Sequence, residues 1–299
     1  MALKTYRGNC HCAAFVFEAT VPEITKAVLC NCSHCYKKGT VWAMIPDTEN
    51  FTMVKGDLGK AKDYRFARKN FGSKFCPTCG TALLFIGRPQ GSEKEHMGVN
   101  VGTPAMPLLS NMHGLVPDIW NMDTNTYDGA SLGAPYETPV YTGPLPTKEV
   151  EDGKVYTGSC HCGNVRVCLR SKPLDHSFES PAYECNCSTC IRHGGTTIWP
   201  HKDQVVIQGS EHLSTYASGM LKAWEKAFCS QCGVFVVRRP LPIPDEVAVH
   251  IPAAAREWTV DAQHLLPLNL KLLDGVDISQ LKITHIDGYD VIPPPYVNP

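Results

Sequence analysis

Short stretches of this chain alternate apolar and polar positions with a period of two. Phe15, Phe17 and Ala19 alternate with Val16 and Glu18, and far downstream Val165, Val167 and Leu169 alternate with Arg166, Cys168 and Arg170. That period predicts half-buried β-strands. Further strand-like runs are expected at 41–45, 51–54, 81–86, 205–207 and 234–238, each punctuated by Gly or Pro. Helical periodicity is weak, with short candidates only near 118–122 and 278–281. The expected fold class is mainly β.

The two alternating strands sit in two copies of one pattern. Gly8-Asn9-Cys10-His11-Cys12 returns as Gly158-Ser159-Cys160-His161-Cys162. Cys30-Asn31-Cys32-Ser33-His34-Cys35 returns as Cys185-Asn186-Cys187-Ser188-Thr189-Cys190, and Phe75-Cys76-Pro77-Thr78-Cys79-Gly80 as Phe228-Cys229-Ser230-Gln231-Cys232-Gly233. Tyr127-Asp128-Gly129, followed by Pro135-Tyr136, returns as Ile286-Asp287-Gly288, followed by Pro295-Tyr296. The order is kept at an offset of about 150 residues, which marks a tandem duplication. Pro139, Gly143, Pro144 and Pro146, then a charged run, mark the junction; prolines cannot donate to a sheet ladder and they stiffen a connection. The expected division is a first domain over 1–140, a linker over 141–153 and a second domain over 154–299.

Composition narrows the function classes. The formal net charge of −1 over 299 residues gives no electrostatic pull toward nucleic acid, and no nucleic-acid partner is expected. No run approaches ~18 consecutive apolar residues and the N-terminal stretch has no signal-like apolar segment, so no membrane association is expected and the location is expected to be cytoplasmic. In a reducing compartment, fifteen tightly clustered cysteines, an odd number, read as metal ligands rather than disulfides.

Each copy supplies a C-x-C, a C-x-C-x-x-C and a C-x-x-C. The C-x-x-C-Gly pair looks like a zinc knuckle, which needs two more thiols to complete a structural site. The economical sets are Cys10, Cys12, Cys76 and Cys79, and Cys160, Cys162, Cys229 and Cys232. Two triplets remain, Cys30, Cys32, Cys35 and Cys185, Cys187, Cys190. Three protein ligands leave a fourth position open, as in catalytic zinc sites. A fourth ligand could also come from His34, His96 or His113 in the first copy, or from His193, His201, His212 or His250 in the second. Cys168 has no cysteine counterpart in the first copy and reads as an incidental strand residue. His11 and His161 recur between ligand thiols and read as turn or hydrogen-bonding residues.

Three thiolates leave zinc with a net negative charge, which weakens its pull on a bound water and disfavours hydrolysis. The same site suits a substrate thiolate, because the metal lowers a thiol's pKa. Read backwards, the site stabilises a departing thiolate in C–S bond cleavage. The flanks suit an anionic thiol such as glutathione. Lys37, Lys38 and Arg192 stand just after the last thiol of each triplet, where a cation can pair with a carboxylate. Ser33 and Ser188 can donate to a sulfur or to substrate. Lys37 and His193, together with His34 or a water, are candidate bases. The basic run Arg65, Arg68 and Lys69 reads as solvated surface.

Gly-x-Cys-His-Cys, then Cys-Asn-Cys-Ser-x-Cys, then Phe-Cys-x-x-Cys-Gly resembles the glutathione-dependent formaldehyde-activating enzyme family, which includes centromere protein V. The resemblance covers both halves. It implies two tandem β-tent-like zinc-binding domains, with structural Zn2+ in the four-thiol sets and catalytic Zn2+ in the triplets. It also implies a carbon–sulfur lyase activity that joins formaldehyde to glutathione or reverses that step, with glutathione or a related thiol adduct as the partner. Two departures leave every ligand in place: Ala13 stands opposite Gly163, and Ser230 opposite Pro77. The second copy inserts a long segment over 240–268. The alternative function is a non-catalytic zinc scaffold that binds protein or chromatin. A homodimer stays open as the assembly, since two tandem copies could already pair.

Overall fold

The computed structural model describes residues 2–101, 122–218, 223–242, 249, 257, 259–291 and 296–299. Among these, the protein is mainly β, in two sheet pairs with the same layout. The helical candidate near 118–122 and the residues His113 and His250 lie outside the described set, except for Met122.

The chain divides into two compact units. The first comprises Met1–Tyr136 with Asn186–Gly194 and Pro295–Pro299; the second comprises Glu137–Cys185 and Gly195–Pro294. In the first part of the chain the elements are β1 (Leu3–Asn9), β2 (Val16–Pro22), β3 (Ala27–Cys30), α1 (Ser33–Lys38), β4 (Val41–Ile45), β5 (Phe51–Lys55), β6 (Lys62–Tyr64), β7 (Phe71–Phe75), β8 (Ala82–Gly87), β9 (His96–Asn100) and β10 (Thr124–Tyr127). A three-stranded sheet runs β1-β2-β5, and a seven-stranded sheet runs β10-β3-β4-β9-β8-β7-β6.

The second copy supplies β11 (Lys154–Ser159), β12 (Arg166–Ser171), β13 (Ala182–Cys185), α2 (Cys190–His193), β14 (Thr197–Ile198), β15 (Val205–Gln208), β16 (Leu213–Ala217), β17 (Trp224–Cys229), β18 (Phe235–Pro240), β19 (Leu268–Asn269), β20 (Ile283–Ile286) and the short α3 (Gly288–Val291). Its sheets run β11-β12-β15 and β16-β17-β18-β19-β14-β13-β20. Read from the other edge, the second large sheet repeats the first strand for strand. In each, the edge strand beside the triplet pairs in parallel, β10 on β3 and β20 on β13.

The strands follow the alternation in the sequence. Phe17, Ala19 and Val21 of β2 are buried while Glu18 and Thr20 are half-buried, and Val167 and Leu169 of β12 are buried likewise. Burying each of the larger of these side chains contributes on the order of 1.5–3 kcal/mol. Cys168 is buried too, so β12 is covered on both faces. The candidate near 278–281 is a single 3-10 turn, Ile278–Gln280. Two short helices, α1 and α2, instead sit at the triplets, where six and four residues are too few to display a 3.6 period. Among the described residues no helix is long and apolar enough to cross a membrane.

The cysteines of the four-thiol sets fall in or at the edge of turns that this layout brings together. Cys10 and Cys12 lie in the β1–β2 turn, and Cys76 and Cys79 in the β7–β8 turn, so a shared metal would join the small sheet to the large one. Cys160, Cys162, Cys229 and Cys232 repeat this with the β11–β12 and β17–β18 turns.

Candidate metal centres

All fifteen cysteines are free thiols. Fourteen gather into four clusters whose sulfurs lie within 4.8 Å of one another: Cys10, Cys12, Cys76, Cys79; Cys160, Cys162, Cys229, Cys232; Cys30, Cys32, Cys35; and Cys185, Cys187, Cys190. Sulfurs of Cys10 and Cys12 are 3.5 Å apart, of Cys12 and Cys76 3.6 Å, of Cys160 and Cys162 3.6 Å, and of Cys162 and Cys229 3.5 Å. A zinc tetrahedron with ~2.3 Å Zn–S bonds has an edge of roughly 3.8 Å, whereas a disulfide needs about 2.05 Å. The spacing fits a common metal and not a disulfide.

Local backbone geometry makes the four-thiol sites. Cys76 N–H bonds the Thr81 carbonyl at 2.9 Å and Gly80 N–H bonds the Cys76 carbonyl at 2.9 Å, folding the knuckle around its two thiols. Cys229 and Gly233 repeat both bonds, at 2.9 and 2.8 Å. Phe15 N–H donates to Cys10 Sγ and Val165 N–H to Cys160 Sγ, each at 3.3 Å. Hydrogen bonds from Cys10, Cys12 and Cys76 hold the Cys79 thiol far below its ordinary range, and those from Cys160, Cys162 and Cys232 do the same for Cys229. Hydrogen bonding to Cys10 pushes Cys76 up, and burial pushes Cys232 up. Sulfurs this close cannot all ionise without a cation among them, and a divalent metal is the group that permits it.

In the first triplet, Cys32 caps α1: its Sγ accepts from Cys35 N–H at 3.5 Å. Trp42 Nε1–H donates to Cys35 Sγ at 3.5 Å. Hydrogen bonds from Cys32 and Cys35 hold Cys30 at about 3, aided by the N–H groups of Cys32 and Gly129, while sharing with Cys30 pushes Cys35 well up. In the second triplet, Thr189 Oγ1 lies 3.5 Å from Cys187 Sγ.

Sequence reasoning missed the frame around the first triplet. β10 pairs with β3 so that Tyr127 lies opposite Cys30. Asn31 then donates its backbone N–H to the Tyr127 carbonyl at 3.1 Å and its side-chain amide to Asp128 Oδ1 at 2.9 Å, and accepts from Ala130 N–H at 2.8 Å. The Asn31 and Ser131 hydrogen bonds hold the Asp128 carboxyl below its ordinary value. Gly129 packs so tightly that an added Cβ would lie 2.5 Å from Cys30 Sγ. The repeated Asp-Gly and the Asn between the thiols were visible signals; their meaning depends on a contact between positions about 100 residues apart.

The flanking polar residues are engaged with protein. Lys38 is buried, donates to the Gly80 carbonyl at 2.8 Å and lies 5.0 Å over the Phe75 ring, tying α1 to the knuckle. Lys37 is buried as well, and Ser33 opens α1 half-buried. Within the first unit, Arg192 donates to the carbonyls of Asn9 (3.2 Å) and Ser188 (2.6 Å) and to Asn298 Oδ1 (3.2 Å), and lies 4.7 Å over Tyr296. Ser188 Oγ lies 3.0 Å from His11 Nε2, whose ring stacks on Tyr296 at 4.5 Å. Tyr296 Oη bonds the His11 carbonyl at 2.9 Å and Asn9 Nδ2 at 2.7 Å, so the C-terminal segment braces the Cys10–Cys12 turn.

Among the described residues no histidine joins a triplet as a fourth ligand. His34 is buried between Tyr64 and Phe66, with ring centroids at 5.1 and 5.4 Å, and His201 Nδ1 caps a turn by accepting from Asp203 N–H at 3.2 Å. The basic run is surface: Arg65 pairs with Asp63 at 3.0 Å and bonds the Lys69 carbonyl.

The family described as glutathione-dependent formaldehyde-activating enzyme matches residues 5–120 and 155–265. The chain belongs to this family, twice over. Both matched segments contain one four-thiol site and one triplet of the family member described above. A solved Rhodobacter sphaeroides protein is 20% identical and superposes with a TM-score of 0.31, covering 43% of this chain and 99% of its own. No curated protein matches the sequence.

Proposed function

We propose that this family member is a zinc-dependent carbon–sulfur lyase acting on glutathione or a related thiol adduct, with Cys30, Cys32, Cys35 and Cys185, Cys187, Cys190 as its catalytic ligands. One observation carries the reading. Each triplet groups three sulfurs within 4.8 Å, and among the described residues no fourth Cys, His, Asp or Glu ligand atom joins them. The four-thiol sites have the complement of a structural zinc; the triplets have that of an open one. Zinc held there would lower the pKa of an arriving thiol and give its sulfur a docking position.

The chain's own residues prepare that position. Cys35 N–H, Trp42 Nε1–H and Gly129 N–H are all directed at triplet sulfurs, and they draw negative charge off the three thiolates. A further thiolate is then less strongly repelled. In adduct formation the substrate sulfur bonds to the carbonyl carbon of an aldehyde and the thiol proton ends on the oxygen. Cleavage runs the same balance backwards, releasing thiol and aldehyde. Lys38 and Arg192 hold the loops that carry the triplets, through the carbonyl bonds described above.

The test is exchange between formaldehyde and glutathione, followed by NMR, on zinc-loaded protein. Wild type should hold about four zinc ions per chain, one for each cluster. Cys32→Ala with Cys187→Ala should leave about two and slow exchange by roughly 100-fold or more, with the circular dichroism spectrum kept. Unchanged exchange in that double variant would refute the assignment.

A further inference from the structure

We propose that the second unit carries an anion-binding subsite, formed by Arg238 and Lys226 beside the paired rings of Trp199 and Trp224, which receives a carboxylate of the thiol substrate. It deepens the lyase reading and rests on it for the identity of the ligand.

The strand registers place these residues on the sheet face that bears Cys185. Tyr183 lies two residues before Cys185 on β13 and pairs with Thr197 of β14, with Trp199 two residues beyond; side chains at this spacing share a face. The opposite face holds Ile198, Leu268 and Val237, all in the core. Across β17 and β18, Lys226 is directly opposite Arg238. The Arg238 guanidinium lies 5.5 Å from the Trp199 ring and 5.2 Å from the Trp224 ring, and Tyr183 packs edge-on against Trp199 at 6.0 Å. Lys226 is 7% exposed, with its ammonium 5.6 Å over Phe235.

Two like charges directly opposite on neighbouring strands repel each other. Among the described residues neither cation has a carboxylate partner: Glu225, next to Lys226 in the chain, pairs with Arg239 at 3.7 Å instead. Arg238 Nε is buried and has no hydrogen-bond acceptor among the described residues. A desolvated guanidinium N–H without an acceptor is costly, and a ligand carboxylate would relieve both that cost and the repulsion. The aromatic rings hold the guanidinium in place and shield it from water, which strengthens its attraction for an anion.

The first unit lacks this arrangement at the same places. Its β7–β8 hairpin has the same bulge, and in that register Phe85 opposite Ser73 replaces Arg238 opposite Lys226. Phe71 stands for Trp224, and Trp42 packs edge-on against Phe85 at 5.1 Å. The duplicated faces therefore differ in charge, so the two copies select different thiol adducts, the second an acidic one.

The experiment is calorimetric titration of the zinc-loaded full-length protein with S-methylglutathione, a thioether that keeps both carboxylates but offers no thiolate. Wild type should bind, Arg238→Met and Lys226→Met should each weaken binding by about 10-fold or more, and Arg238→Lys, which keeps the charge but not the planar fork, should weaken it less than Arg238→Met. Each variant should keep its zinc content and should respond to 2-mercaptoethanol, which has no carboxylate, as wild type does. Absence of binding by wild type, wild-type affinity in the two Met variants, or equal weakening toward 2-mercaptoethanol would overturn the subsite. Failure of 2-mercaptoethanol to alter the charge-transfer spectrum of cobalt-substituted wild type would sink the thiol-site reading alone, since S-methylglutathione binding does not depend on it.

Discussion

Ala13 sits at φ 58° and its counterpart Gly163 at φ 79°, both in the left-handed region that the turn after the C-x-C pair requires. A side chain there costs about 1–2 kcal/mol, part of which a glycine loses again through its freer unfolded chain. Ala13→Gly is therefore expected to stabilise the zinc-loaded protein by roughly 0.5–1 kcal/mol, read as a higher urea midpoint. A lower midpoint would show that the turn is not strained by Ala13. The reverse change is not symmetrical, because a Cβ at Gly163 would meet Pro139 Cγ at 2.6 Å. The sequence showed that these positions differ; the consequence follows from the backbone angle.

At the scale of elements, the triplet is a strand end, a loop and one helical turn, held by a strand that arrives much later in the chain. The spacing of Cys32 and Cys35 is one turn of helix, and Gly39 at φ 65° ends it. Neither helix was expected, since each is too short for periodicity to register. The strands were legible because burial on one face imposes a period of two. Their order was not legible, and it is the order that sets Gly129 against Cys30. Gly129→Ala, with its Cβ 2.5 Å from that sulfur, should weaken zinc binding at the first triplet by about 10–100-fold and spare the other three sites. Chelator competition measures this, and four sites of wild-type affinity would contradict the close packing.

For the whole molecule, the two kinds of site have different mechanical duties. Each four-thiol cluster joins a hairpin of the small sheet to a hairpin of the large one, whereas each triplet comes from six consecutive residues that run from a strand end through a loop into a helical turn. Metal binding that closes long-range contacts is folding free energy. A chelator series should therefore remove about two of the four zinc ions with the β signal in circular dichroism intact, and the rest only as the protein unfolds. Acid should follow the same order, because protons compete with zinc for thiolates. Simultaneous loss of all zinc with unfolding would show that the triplets also hold the fold together.

The sequence by itself determined the duplication, the mainly β class and the division of fourteen cysteines into four-thiol and three-thiol sets. Those features rest on spacing within a few residues and on the repetition of motifs. Only the tertiary structure decided what surrounds the sulfurs. It brings Trp42 and Gly129 to the first triplet and directs Lys38 to the Gly80 carbonyl. It groups Asn186–Gly194 and the C-terminal segment with the first unit, and it opposes Lys226 and Arg238 across two strands. The physical reason is the same throughout: ligation is written in local spacing, whereas packing, burial and strand register depend on residues far apart in the chain, which the sequence pattern does not pair.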